Sequence, residues 1–170
     1  MNEKVVIKRV REKDLNAFFE LFSRLIRAGF PEYSQKTREF MVTNKRMWTK
    51  SHFKEQVKRR LIIGAWAGNK IVGLIYADSP WGGVSLAYWL MIDPNFQRQG
   101  IGKKLLATWE KIVKDKGAHF IYLYADKRNV DYYKERGFEI AGLMKKGWFG
   151  SDDYIFTKLL QEPKEENYLK

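Results

Sequence analysis

A strand-like run, Leu86-Ala87-Tyr88-Trp89-Leu90-Met91-Ile92, leads within a few residues into Gln97-Arg98-Gln99-Gly100-Ile101-Gly102. A helical pattern starts inside that second stretch and runs to Gly117. Strand, glycine-containing turn and helix start, in that order, leave few folds open to the chain. The opening N–H groups of a helix have no intrahelical acceptor, and the helix dipole adds partial positive charge there. Gly100 and Gly102 lack a Cβ, so an anion such as a phosphate can come close to the backbone. G-x-G spacing alone is also that of an ordinary turn. The chain has no G-x-x-x-x-G-K-[S/T], and the third glycine and later acidic residue of a dinucleotide fingerprint are missing.

The elements around this stretch follow from periodicity. Residues 5 to 10 alternate as a first strand. Asp14 reads as an N-cap, followed by Leu15, Phe18, Phe19, Phe22, Leu25 and Ile26 at helical spacing, with Gly29 and Pro31 as the stop. Residues 34 to 60 are polar and basic with sparse apolar positions and read as one or two shorter helices. Residues 61 to 67 and 70 to 77 flank Gly68-Asn69 as a hairpin. After the glycine turn, Ile101, Leu105, Trp109 and Ile112 form one stripe, with Leu106 and Val113 beside it, which packs on a sheet. A strand over 119 to 125, a short helix ending near Gly137 and two closing strands, 138 to 144 and 154 to 160, complete the pattern. Hairpins first and a strand–helix–strand crossover later imply a mixed α/β sheet with helices on both faces. One domain over residues 1 to 160, followed by a charged and mobile tail over 161 to 170, is the expected organisation.

Composition removes several classes of chemistry. There are no cysteines among the 170 residues and only two histidines, His52 and His119, so disulfides, thiol nucleophiles and His-rich metal sites are out, and no metal is expected. No apolar run approaches the roughly twenty residues a membrane span needs. Residues 1 to 4 lead into no apolar signal region, and a cytoplasmic location fits. The net charge is +12, and half of it falls in residues 31 to 60, which hold nine basic and three acidic residues. Such a surface is either an ordinary solvated helix face or, over 36 to 60, a binding face for acidic or nucleic-acid-associated partners.

The run from Leu90 through Pro94, Gln97, Gly100 and Gly102 to Leu106 resembles the acetyl-CoA-binding segment of the GNAT N-acetyltransferase superfamily, whose motif is Gln/Arg-x-x-Gly-x-Gly/Ala after a strand. Downstream, Tyr132-Tyr133-Lys134-Glu135-Arg136-Gly137-Phe138 looks like that family's Tyr-x-x-x-Gly-Phe signature. The resemblance is good over residues 61 to 160 and holds only in outline before that. It implies a central, mostly antiparallel, twisted sheet of about seven strands. It also implies direct transfer of an acetyl group from acetyl-CoA to a primary amine: a peptide N-terminus, a lysine or a small-molecule amine.

By that resemblance, Leu90 and Ile92 supply backbone groups to pantetheine, and the pyrophosphate lies on the N–H groups of Gln97, Arg98, Gln99, Gly100, Ile101 and Gly102. Arg98 and Lys103 add charge, with Lys104 a weaker choice. The Tyr-x-x-x-Gly-Phe spacing selects Tyr133 over Tyr132 as proton donor to the CoA thiolate, since a phenol and a thiol have similar pKa values. The family's Asn-x-x-Ala-x-x-x-Tyr spacing falls on Asp126 rather than Asn129, and either residue would touch CoA. No general base is evident: 84 to 92 and 118 to 125 hold no carboxylate, and Asp78, Asp93 and Asp126 each suit a turn or cap. His119 reads as structural.

The family's acceptor pocket would draw on Phe30, Tyr33, Trp48, Trp148 and Phe149, with Trp81 and Tyr88 near it. Aromatic walls suit an apolar side chain, a peptide or a stacked ring, and equally suit plain packing. The rival to an enzyme is a non-catalytic module that holds CoA or nucleic acid on the same fold. The oligomeric state stays open, a homodimer included.

Overall fold

In the computed structural model, residues 4–44 and 49–169 are described. In chain order the elements are β1 (Val5–Arg9), α1 (Leu15–Gly29), α2 (Gln35–Thr43), α3 (Lys50–Arg59), β2 (Leu61–Ala67), β3 (Lys70–Ala77) and β4 (Val84–Ile92). Then come α4 (Ile101–Asp115), β5 (Phe120–Ala125), α5 (Val130–Lys134), β6 (Glu139–Met144), β7 (Asp153–Leu159) and α6 (Glu165–Tyr168). The strands form one seven-stranded sheet in the order β1-β2-β3-β4-β5-β7-β6, flanked by helices. The β1–β2, β5–β7 and β6–β7 pairs are antiparallel, and β4–β5 is parallel. A parallel pair needs a crossover connection, and α4 provides it. No helix among the described residues is long and apolar enough to cross a membrane.

The chain divides into two compact units. The first comprises Met1–Tyr76 and Trp89–Thr108, the second Ala77–Tyr88 and Trp109–Lys170. The core of the first is built from α1: Phe18, Phe22 and Ile26 are buried and meet Phe53 of α3, Met41 of α2, and Ile62, Leu74 and Met91 of the sheet. Phe53 makes edge-to-face contacts with Phe18 and Phe22 at ring-centroid distances of 4.9 and 5.1 Å. Such pairs add about 0.5–1.5 kcal/mol each beyond area burial. The polar stretch after α1 resolves into two helices because Ser34 and Thr49 each accept a hydrogen bond from the backbone N–H three residues on, Thr37 and His52. Lys45, Arg46, Met47 and Trp48 lie outside the described residues.

The second unit is centred on Trp109, which is fully buried and donates its indole N–H to Ser85 Oγ at 3.1 Å; Ser85 in turn donates to the Asp78 carbonyl at 2.7 Å. Leu123, Phe138, Phe156 and Tyr133 are buried in the same unit. The tail differs from the loose segment expected of its charge. Gln161 Nε2 donates to the Ala118 carbonyl at 2.8 Å, and Tyr168 of α6 packs on His119 at 5.4 Å. Those contacts hold the chain end against the start of β5.

Candidate active site

The glycine turn is held from both sides. Upstream, Asp93 accepts from the Asn95 N–H at 3.1 Å and caps a short 3₁₀ turn over Pro94–Phe96. Its side chain is 1% exposed, yet it ion-pairs with Arg24 of α1 at 2.7 Å, with Lys70 Nζ at 3.9 Å. Burial pushes the Asp93 carboxyl up, but the Arg24 guanidinium, the Asn95 amide and Lys70 outweigh it and hold the group below the usual carboxylate range. Downstream, Ile101 is buried and anchors the first turn of α4.

Between these anchors, Gln97 to Gly100 are exposed. Arg98 (φ 59°) and Gly100 (φ 74°) adopt left-handed backbone, which turns successive N–H groups toward the same side. A Cβ at Gly100 would meet no atom within 4 Å, so the space over these amides is open. The first bond into the helix runs from Lys104 N–H to the Gly100 carbonyl at 3.1 Å, and the N–H groups of Ile101, Gly102 and Lys103 precede it. Lys103 and Lys104 are exposed on the first turn. The Gln97 N–H, expected to be free, instead donates to the Pro94 carbonyl at 3.3 Å. From Arg98 to Lys103 the backbone donors have no acceptor among the described residues, and these donors, the dipole and the adjacent cations fit a diphosphate.

The strand that feeds the turn has a polar backbone edge. Asp93 N–H donates to the Val72 carbonyl of β3 at 2.8 Å. Alternation counted back from Asp93 puts the backbone groups of Ile92 and Leu90 on the opposite edge; the Leu86 carbonyl accepts from the N–H of Asp78, the residue after β3, at 2.8 Å, so the alternation slips once between Leu86 and Asp93. The parallel β4–β5 ladder covers Val84–Ala87 opposite Phe120–Leu123, and β4 continues past it to Ile92. One group on that edge is engaged: the Gln97 side-chain amide donates to the Ile92 carbonyl at 3.3 Å.

In the second unit, Tyr133 is 7% exposed and packs against Phe138 and Phe156 at 5.7 and 5.0 Å. Burial drives its phenol pKa upward, with Tyr132 and Asp126 adding to the shift and Arg136 opposing it. The group therefore stays a neutral O–H donor throughout the neutral range. Tyr132 lies under Arg136, whose guanidinium stacks 3.5 Å from its ring centroid. Asn129 and Asp126 are joined to each other: Asp126 Oδ1 accepts from Asn129 Nδ2 at 3.3 Å and from the Arg128 N–H at 2.7 Å, and Oδ2 is gripped by the Arg128 guanidinium. Asp78 accepts from the Tyr88 hydroxyl at 2.9 Å. Asp78, Asp93 and Asp126 thus all have bonded partners as turn and cap residues.

The aromatic residues expected around an acceptor fall into separate groups. Phe30 and Tyr33 stack at 6.1 Å and join the first unit's core beside Trp89. In the second unit Trp81, Trp148 and Phe149 are 90%, 62% and 50% exposed. Of the basic segment, Lys54 pairs with Glu12 at 2.8 Å, Lys58 with Glu55 at 3.6 Å, and Arg38 donates to the Phe30 carbonyl at 3.1 Å. Asp153, at the start of β7, is a further carboxylate, absent from the residues expected at the site and only 6% exposed.

Residues 16–138, which include α1 from its second residue onward and the glycine turn, match the model of the acetyltransferase (GNAT) family. The chain belongs to that family. This GNAT chain is 28% identical over 153 residues to an uncharacterised N-acetyltransferase of Methanocaldococcus jannaschii, covering 84% of its own length and 63% of the relative's. Among solved structures it shares its fold with the PaiA N-acetyltransferase of Thermoplasma acidophilum in complex with coenzyme A, with a TM-score of 0.78 at 22% identity over 92% of this chain and 99% of that one. The ribosomal-protein-S18-alanine N-acetyltransferase of Escherichia coli has a TM-score of 0.71 at 20% identity over 97% and 99% of the two chains.

Proposed function

We propose that this protein is an acetyl-CoA-dependent N-acetyltransferase that moves the acetyl group directly to a primary amine. The observation that carries the reading is the open run of backbone donors at residues 98 to 103 at the mouth of α4, in a chain of the GNAT family. The coenzyme A held by the Thermoplasma relative supports the same cofactor here. Acetyl-CoA supplies the activated acyl group; the chain's part is binding, orientation and proton handling.

In this reading the N–H groups of Arg98 to Gly102 take the diphosphate, with the Arg98 and Lys103 side chains adding positive charge; the Gln97 N–H is left with the Pro94 carbonyl, 3.3 Å away. The backbone of Leu90 and Ile92 takes the pantetheine amides, and Gln97 moves off the Ile92 carbonyl or shares its second lone pair. Tyr133 protonates the departing thiolate, a step for which a phenol held neutral by burial is suited. With no cysteine in the sequence, the acyl group passes in one displacement rather than through a thioester on the protein. Asn129, held by Asp126, orients the segment that leads into α5.

The acceptor is an amine reached past exposed aromatic side chains, and the excess of basic residues favours one carrying acidic groups. Calorimetry with acetyl-CoA, followed by a thiol-release assay over small amines and peptides, tests the reading. Saturable binding with amine-dependent thiol release is expected. Binding with no release on any amine would leave a CoA-holding module. That rival draws on the bonded state of Asp78, Asp93 and Asp126, which leaves none of them an obvious base.

A further inference from the structure

Asp153 has surroundings unlike those of the other carboxylates described above. It opens β7 opposite Met144 of β6, and the next residue, Tyr154, pairs with Ala125, the last residue of β5. Asp153 is therefore level with the exit of β5, where Asp126 follows. It is 6% exposed. Its Oδ2 lies 3.0 Å from Ser151 Oγ, and among the described residues no cation pairs with it. Its neighbour Asp152 is committed to the loop, accepting the Lys146 N–H at 2.8 Å. A largely buried carboxylate with a neutral hydroxyl and no cation beside it is a costly arrangement for mere packing.

We propose that Asp153 is the proton acceptor of the transfer, taking the ammonium proton of the incoming amine so that the nitrogen can attack. This rests on the acetyltransferase reading and supplies the base that reading lacks. The local wiring suits a group that gains and loses a proton. Ser151 Oγ lies 2.9 Å from the Trp148 carbonyl as well as 3.0 Å from Asp153, and a hydroxyl has one proton to give. When Asp153 is neutral it donates to Ser151 Oγ, which donates to the Trp148 carbonyl, and the chain is complete. When Asp153 is ionised, Ser151 turns its proton back to the carboxylate. A hydroxyl rotation serves both states.

The charged surroundings agree. Burial raises the carboxyl pKa of Asp153, and Asp126 and Asp152 raise it further against the Ser151 hydrogen bond. A carboxylate so raised is a stronger base toward an ammonium ion. The negative charge of Asp126 weighs on both Asp153 and Tyr133, favouring the neutral form of each. The loop from Met144 to Asp153 also carries the exposed Trp148 and Phe149, which give an acceptor apolar surface next to the base.

The protons balance. The ammonium gives one proton to Asp153, which later passes it to water. The neutral nitrogen forms a bond to the acetyl carbon, and the carbon–sulfur bond breaks. Tyr133 gives its proton to the thiolate and recovers one from the newly bonded nitrogen. The products are an amide, a thiol and one released proton.

The test is the pH dependence of thiol release for the wild type and for Asp153→Asn, with acetyl-CoA affinity followed by calorimetry. At neutral pH the variant is expected to be at least ~100-fold slower, the typical lower bound for losing a general base. The gap should close as the pH passes the amine's own pKa, because the amine then arrives neutral, and acetyl-CoA affinity should hold. A variant as fast as wild type at neutral pH, or slower by one factor at every pH, would overturn the assignment. Carboxyl ¹³C NMR titration of the wild-type protein gives a readout that does not depend on the variant's folding. Asp153 should titrate above the ordinary carboxylate range, and an ordinary value would overturn the proposal. A wild type that binds acetyl-CoA but releases thiol to no amine would sink the transferase reading itself, and Asp153 with it.

Discussion

Arg24 Nη2 lies 2.7 Å from Asp93 Oδ2, and this contact ties α1 to the cap directly ahead of the glycine turn. Asp93 is 1% exposed and Arg24 half-exposed, so the carboxylate depends on a partner that is itself partly solvated. Lys70 at 3.9 Å is too loose to replace it. Arg24→Met should cost about 1–2 kcal/mol, between the values for exposed and for fully buried pairs because Arg24 is half-solvated. Thermal or urea unfolding would measure it, and an unchanged stability would show the pair to be incidental.

The same pair sets an acid response. The Asp93 carboxyl lies below its ordinary range when folded, so its contribution is present above the unfolded pKa and is lost as the pH falls through the folded value. In Arg24→Met the carboxyl loses its main stabilising partner and its pKa rises. Acid unfolding of the variant, followed by circular dichroism, should therefore begin at a higher pH than in wild type.

In the second unit Ser85→Ala removes the acceptor of the Trp109 indole N–H. Both residues are buried, so the N–H is left without a partner, at a cost of about 1–3 kcal/mol. Denaturant unfolding monitored by tryptophan fluorescence should show the loss. A shift below about 0.5 kcal/mol would mean that water replaces the hydroxyl.

The strands and α4 were legible because their apolar periods are undisturbed. The hairpin at Gly68-Asn69 and the stripe of Ile101, Leu105 and Trp109 have local signals that nothing overrides. Ser34 and Thr49 as caps were open to the same reading, but the sparse apolar positions after them gave no clear helix face. The Arg24–Asp93 pair spans most of the first unit in sequence and leaves no local trace. The tail read as loose because its residues are charged; its docking rests on Gln161, on the Tyr168 ring and on the Asn167 backbone lying against Gly117. Asp153 escaped notice because an acid next to Ser151 and Asp152 looks like turn chemistry, and only burial separates it from Asp152.

Gly102→Glu places bulk and negative charge in the proposed diphosphate cradle. It should weaken acetyl-CoA by about 3 kcal/mol, roughly 100-fold in affinity, with little effect on folding. Gly100 is a less clean position, because its left-handed backbone adds about 1–2 kcal/mol of strain for any side chain. Calorimetry on Gly102→Glu checks the prediction; wild-type affinity would remove the diphosphate from this turn.

Tyr133→Phe keeps the ring contacts with Phe138 and Phe156 and removes only the hydroxyl. Turnover should fall by roughly 100-fold or more while acetyl-CoA affinity stays close to wild type. Because burial raises the phenol pKa, wild-type turnover should show no loss from Tyr133 ionisation until strongly alkaline pH. An unchanged rate in the variant would take Tyr133 out of the reaction.

Amide-resolved ¹H–¹⁵N NMR during titration with acetyl-CoA tests the central claim most directly. The N–H signals of Arg98 to Lys103 should show the largest shifts, saturating together with those of Leu90 and Ile92. Saturable binding that leaves the turn at Gly100 unmoved, with its changes confined to other parts of the chain, would contradict the account.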